Sequence, residues 1–216
     1  LARRRPASQD LVADWQVVDL ADFAQRVIDL AGPVRPAIVA INGQSSSGKT
    51  SLSRRLAAAL PNCSVLHTDD LDWHHGVFTW DALLIKDVLP VLRSRQPLCY
   101  RPPAWIARGR GGAITLDANR EFVIIEGVGA SQGSLRRHLN VIIWVETPQP
   151  VCDSRDALRV ASGEISPASY AGWMAEENAH MAAEQPWEHA DLIVDGSGSL
   201  DHDQETQIVL RVPAFG

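Results

Sequence analysis

The run Gly43-Gln44-Ser45-Ser46-Ser47-Gly48-Lys49-Thr50 constrains this chain more than any other feature of it. It fits G-x-x-x-x-G-K-[ST] at every fixed position, and each position has a physical duty. Glycines let the backbone turn tightly, so that successive N–H groups point inward at phosphate oxygens. The apolar run Ala37–Asn42 before it reads as a strand buried on both faces of a parallel sheet. The segment from Lys49 to Leu60 reads as a helix with Leu52, Leu56 and Leu60 on one face and Pro61 beyond its end. That helix adds the positive end of its dipole to the loop. Lys49 is expected to reach the β- and γ-phosphates, and the Thr50 hydroxyl to ligate Mg²⁺; with Ser51, the expected nucleotide contacts run from Gly43 through Ser51. The cofactors implied are ATP and Mg²⁺.

Further elements alternate around this unit. Ser64–Thr68, Phe122–Glu126, Val141–Val145 and Leu192–Val194 read as strands, Leu192–Val194 being the last along the chain. Helices are expected over 11–30, 79–94, 150–161 and 167–184, with a short one near Leu135, and Asp69–Phe78 as a loop. Strands alternating with helices give an α/β fold, a doubly wound parallel sheet of the P-loop NTP hydrolase (nucleoside/nucleotide kinase-like) type with a small helical lid. The expected organisation is a tail and helix over 1–36, the domain over 37–200 with its lid at about 150–165, and a tail over 201–216.

Composition excludes several classes. A formal net charge of -6 and a pI near 5.6 argue against a nucleic-acid footprint, and Arg3, Arg4 and Arg5 read as part of a solvated tail. Three widely spaced cysteines (Cys63, Cys99, Cys152) do not make a disulfide framework and favour a reducing, cytoplasmic setting. No run approaches the ~18 apolar residues of a membrane span, and Asp10, Asp14, Asp19 and Asp22 break up any apolar leader.

Ligands of open α/β sheets gather at the carboxyl ends of strands, and acids stand at two of them: Thr68-Asp69-Asp70-Leu71-Asp72 and Glu126-Gly127. Such carboxylates hold Mg²⁺ or its waters and accept a proton from an attacking hydroxyl. No Asn-Lys-x-Asp base-reading motif is present, and no Asp-x-x-Gly follows a strand, which disfavours a GTPase.

In these landmarks, followed by Trp144-Val145-Glu146-Thr147 and Ala190-Asp191-Leu192-Ile193-Val194, the chain resembles the uridine kinase, phosphoribulokinase and pantothenate kinase group of P-loop kinases over roughly Ala37 to Ser197. The resemblance implies that Asp69 is the general base facing the acceptor hydroxyl and that Glu126 sits near Mg²⁺ with Thr50 and Asp69. It implies that Arg155 and Arg159, with Lys49, offset the charge of the transferred phosphoryl group, and that Gly196 and Ser197 lie close to the adenine. Two departures bear on the substrate: the lid offers fewer basic residues than the group's nucleoside kinases, and Leu71-Asp72-Trp73-His74-His75 replaces an aromatic after the catalytic loop.

Between the second and third strands lie Trp73, His74, His75, Phe78, Trp80, Tyr100, Arg101, Trp105, Arg108 and Arg110. Flat rings and planar guanidinium forks suit an acceptor pocket, and Asp70 and Gly127 border the same region; Phe78, Trp80 and Tyr100 read equally well as core. A transition-metal site at Asp69, Asp70, Asp72, His74 and His75 is disfavoured, because adjacent histidines do not easily reach one ion and Mg²⁺ already accounts for the acids. The leading expectation is an ATP-dependent kinase acting on a small-molecule hydroxyl such as that of a nucleoside or sugar. Antibiotic O-phosphorylation and a non-catalytic nucleotide-binding switch stand as alternatives. No nucleic-acid or membrane partner is expected, and a homodimer is left open.

Overall fold

The computed structural model describes residues 15–211. Its strands are β1 Gln16–Asp19, β2 Ala37–Gly43, β3 Cys63–His67, β4 Leu98–Tyr100, β5 Ile114–Leu116, β6 Phe122–Glu126, β7 Val141–Glu146, β8 Leu192–Asp195 and β9 Gln207–Arg211. Its helices are α1 Leu20–Ala31, α2 Lys49–Ala59, α3 Thr68–Asp72, α4 Asp81–Leu83, α5 Leu89–Arg93, α6 Pro103–Ala107, α7 Gly133–Arg136, α8 Gln149–Ala161 and α9 Pro167–Glu184; a π-turn, Leu84–Val88, joins α4 to α5. Seven strands form one sheet in the order β1-β9-β8-β7-β2-β6-β3, and β4 and β5 form a separate antiparallel pair. The five strands from β3 to β8 in that order run parallel, and β9 and β1 extend the edge antiparallel.

Period-2 alternation in the central strands sorts side chains to two faces. Val39, Ile41, Phe122, Ile124, Val141 and Ile143 meet Phe23 and Val27 of α1 and Leu52 and Leu56 of α2 on one side. Ile38, Ala40, Val123 and Ile125 meet Leu84, Val88, Leu89 and Leu92 on the other. Strands covered on both faces have no solvent side, which is why β2, β6 and β7 read as continuous apolar runs.

Three expectations are corrected. The helix expected from Leu11 begins at Leu20, because Val17 and Val18 pair with Val209 and Ile208 as an edge strand; residues 11–14 and the tail over 1–9, with Arg3, Arg4 and Arg5, lie outside the described residues. Leu192–Val194 is not the last strand: Gln207–Arg211 follows it, so residues on both sides of the 37–200 segment join the same sheet. The stretch after β3 is not wholly loop, since Thr68–Asp72 makes one helical turn, and the helix expected from Thr79 starts at Asp81. Among the described residues no helix is long and apolar enough to cross a membrane.

Candidate active site

Parallel strands bring their carboxyl ends to one rim, and register sets what meets there. Ile41 and His67 both pair with Glu126, and Gly43 pairs with Val145. The end of β6 therefore lies between the phosphate loop and the start of α3. A cavity of about 840 Å³ opens at this rim. Its walls include Ser45, Ser46, Gly48, Lys49, Thr50, Ser51, Asp69, Trp73, His74, Glu126, Gly127, Arg155, Arg159 and Gly196 from the expected set, together with Asp72, Asp156, Tyr170 and Trp173.

The phosphate loop is tethered at each residue between its glycines. Lys49 Nζ donates to the Gln44 carbonyl at 2.6 Å. The Ser45 N–H donates to Glu177 Oε1 at 2.8 Å, and the Ser45 hydroxyl accepts from Trp173 Nε1 at 2.6 Å. The Ser46 hydroxyl donates to Asp156, the Ser46 carbonyl accepts from Arg155 Nη1 at 2.9 Å, and the Ser47 carbonyl accepts from Thr147 Oγ1 at 2.8 Å. Gly48 sits at φ 102, a conformation that suits glycine. Gly196 allows a second strand end to approach: a Cβ there would collide with the Ser47 carbonyl and the Thr147 hydroxyl.

Lys49 is 7% exposed. Burial lowers its pKa, while Glu126, Glu177 and Asp69, in that order, act to keep it charged. Glu126 accepts from His67 Nδ1 at 2.7 Å and lies 3.3 Å from Thr50 Oγ1. The Glu126 hydrogen bond raises the His67 pKa. Burial, and then the charge of Glu126, raise that of Asp69. Thr50, Glu126 and Asp69 present only oxygen donors to this corner, the donor set that suits Mg²⁺.

Asp72 is pushed up to about 6, chiefly by burial and then by Asp69, and its Oδ1 is buried with no hydrogen-bond partner. A carboxyl raised in the folded state binds its proton more tightly than in the unfolded chain. It therefore costs stability as pH rises from the unfolded value through about 6. Asp72→Asn is expected to stabilise the protein by on the order of 2 kcal/mol at pH 8 and by much less at pH 4.5. Thermal melts at the two pH values check this, and an equal gap at both would contradict it.

The remaining expected residues do not line the cavity. Gly43 and Ser47 are buried beneath the loop and Gln44 is tied to Lys49, so none of the three lines the cavity. Trp80 and Trp105 are 1% and 4% exposed and belong to the core. Arg110 donates to Asp70 Oδ1 at 2.8 Å and lies 3.5 Å over the Trp105 ring, while Trp105 Nε1 donates to the Asp70 carbonyl. Tyr100 donates to Asp87, and Arg101 to the Arg110 carbonyl. None of these, nor His75 or Arg108, lines the cavity; the Arg110 cluster instead braces α3 from outside. Phe78 stacks on His180 at 3.9 Å and sits against Trp173.

Four residues outside the expected set belong to this arrangement: Asp156 and Trp173 line the cavity, and His67 and Glu177 hydrogen-bond to residues that do. His67 carried a signal, since it stands one residue before Thr68-Asp69 on a strand that ends at the rim. Asp156 carried a weaker one, next to Arg155. Trp173 and Glu177 carried only their i, i+4 spacing on a helix.

No family model matches the chain. It is 31% identical to nicotinamide riboside kinase 2 of Homo sapiens over 96 residues, 41% of each protein. It is 28% identical to nicotinamide riboside kinase 1 of Homo sapiens over 142 residues, 62% of this chain and 71% of the relative. The match thus spans under half the length of the first of these relatives. A chain from a Silicibacter species described as a fructose transport system kinase superposes with a TM-score of 0.55 at 22% identity, covering 80% of this chain and 95% of that one. A possible uridine kinase from Bacillus stearothermophilus gives 0.54 at 17%, covering 81% and 96%. These two likenesses show the fold: a mostly parallel α/β sheet flanked by helices, as P-loop kinases have.

Proposed function

We propose that this chain is an ATP-dependent kinase that transfers the γ-phosphoryl group to a hydroxyl of a small molecule, with a nucleoside as the first acceptor to test. The observation that carries this reading is the convergence of Lys49, Asp69 and Glu126 on one cavity that also runs to Gly196. The curated relatives named above, all nicotinamide riboside kinases, support it.

In this reading the loop N–H groups and Lys49 take the phosphates, and Arg155 and Arg159 on α8 stand over them. Mg²⁺ bound to the nucleotide supplies neutralisation of phosphate charge when present, and Thr50, Glu126 and Asp69 are the residues that would hold it. His67 orients the Glu126 carboxylate through Nδ1. Asp69 accepts the proton of the acceptor hydroxyl. Trp73, Tyr170 and Trp173 give the acceptor end flat faces, and Asp72 gives it a carboxylate.

The test is ADP release from ATP and Mg²⁺ over a panel of nicotinamide riboside, uridine, other nucleosides, fructose, other sugars and hydroxylated antibiotics. Release that depends on an added nucleoside is the expected result. Tight nucleotide binding with no acceptor-dependent release anywhere in the panel would count against a kinase and for a nucleotide-binding switch.

A further inference from the structure

Two carboxylates reach the phosphate loop from the helices that follow β7. Asp156 on α8 accepts a hydrogen bond from the Ser46 hydroxyl. Glu177 on α9 takes the main-chain N–H of Ser45 at 2.8 Å through one oxygen and the indole N–H of Trp173 at 2.8 Å through the other. A carboxylate is an unusual occupant here, because phosphate loops turn their N–H groups toward anions that arrive with the nucleotide. Glu177 is 2% exposed, so water screens its charge little. Both of its hydrogen-bond partners are neutral. The cation it acts on is Lys49, the residue expected to hold the outer phosphates.

A negative group that acts on Lys49 acts with opposite sign on whatever anion Lys49 binds. A triphosphate brings one more phosphate, and the larger charge, to that end than a diphosphate does. The repulsion is therefore greater for the triphosphate.

We infer that Glu177 is a specificity-determining residue of the nucleotide site, one that lowers affinity for the triphosphate relative to the diphosphate while its hydrogen bond holds the Ser45 end of the loop in place. The penalty ends when the γ-phosphoryl group leaves for the acceptor. This inference rests on the nucleotide site proposed above.

Two variants separate charge from tether. Glu177→Gln keeps the shape and an oxygen for the Ser45 N–H but removes the charge. Glu177→Asp keeps the charge but withdraws it from Ser45. Binding of the Mg²⁺ complexes of ADP and of the non-hydrolysable imido analogue of ATP is measured by calorimetry, without acceptor, on the full chain. In Glu177→Gln the triphosphate analogue is expected to bind roughly fivefold tighter or better, with ADP changed less than twofold. In Glu177→Asp the analogue is expected to bind no tighter than in the unaltered protein. A purely structural role would weaken both ligands in both variants, and that result overturns the inference. So does an equal gain for both ligands, or no gain at all, in Glu177→Gln. Failure of the unaltered protein to bind either nucleotide would overturn the nucleotide site itself, and the inference with it. If Glu177→Gln does not fold, Glu177→Ala removes the charge together with the tether: tighter binding of the analogue relative to ADP, compared with the unaltered protein, supports the inference, and no such relative gain overturns it.

Discussion

Lys49→Met is expected to lower acceptor-dependent ADP release by about 10³-fold or more, with the chain still folded. Lys49 borders the cavity at the strand rim, with Nζ 2.6 Å from the Gln44 carbonyl, and the side chain is almost wholly buried. Burial works against its charge, and the carboxylates of Glu126, Glu177 and Asp69 work for it. Methionine keeps length and volume, so no cavity opens under the loop. What disappears is the single ammonium among three acids. The phosphoryl oxygens then lose their buried cation, and the acids that remain repel the polyphosphate. Affinity for ATP should fall along with turnover, and calorimetry beside an ADP-release assay reads both. Turnover within about tenfold of the unaltered protein would mean that Lys49 is not the phosphate-binding cation.

The loop, its strand and its helix were legible because the requirements there are local: the motif needs Gly43, Gly48 and Lys49, and all lie within one short run. Asp69 and Glu126 were legible for a similar reason, since a buried strand reaches the ligand rim wherever its apolar run stops. The acceptor wall was not. Trp80 and Trp105 have the chemistry of ring-binding residues and are core, because hydrophobicity alone does not say which face of a sheet a side chain meets. Arg110 looked free to bind a substrate and is committed to Asp70 and Trp105. Glu177 lies 132 residues from Ser45 and meets it only because α9 crosses the loop; no local pattern encodes that meeting. The edge strands were missed for a further reason. Apolar positions that continue the period of α1 backward through Val17 and Val18 fit a helix, yet their pairing with Ile208 and Val209, far along the chain, makes a strand the better use of them.

Asp69→Asn is expected to reduce kcat by about 10²- to 10⁴-fold while ATP affinity changes little. Asp69 is the second residue of α3, directly after the β3 strand end, and faces the same cavity as Lys49 and Glu126. The amide preserves shape and cannot accept the hydroxyl proton as a base. The pH profile gives the sharper test. Burial first, and then the charge of Glu126, hold the Asp69 carboxyl above the usual carboxylate range, with Lys49 and His67 pulling the other way. A base works ionised, so kcat/KM should fall on the acid side as pH drops through that raised value. The residual activity of Asp69→Asn should lack this limb. Asp72 supplies an internal control: the two carboxyls stand three residues apart on one helical turn, and the charge of Asp69 is among the causes that lift Asp72 to about 6. As pH falls, Asp72 takes up its proton near 6 and carries no charge while Asp69 titrates, so Asp72→Asn should leave the Asp69 limb in place. A structural role for Asp69 would lower activity evenly across pH and leave the limb where it was, and full activity in Asp69→Asn would remove it as the base.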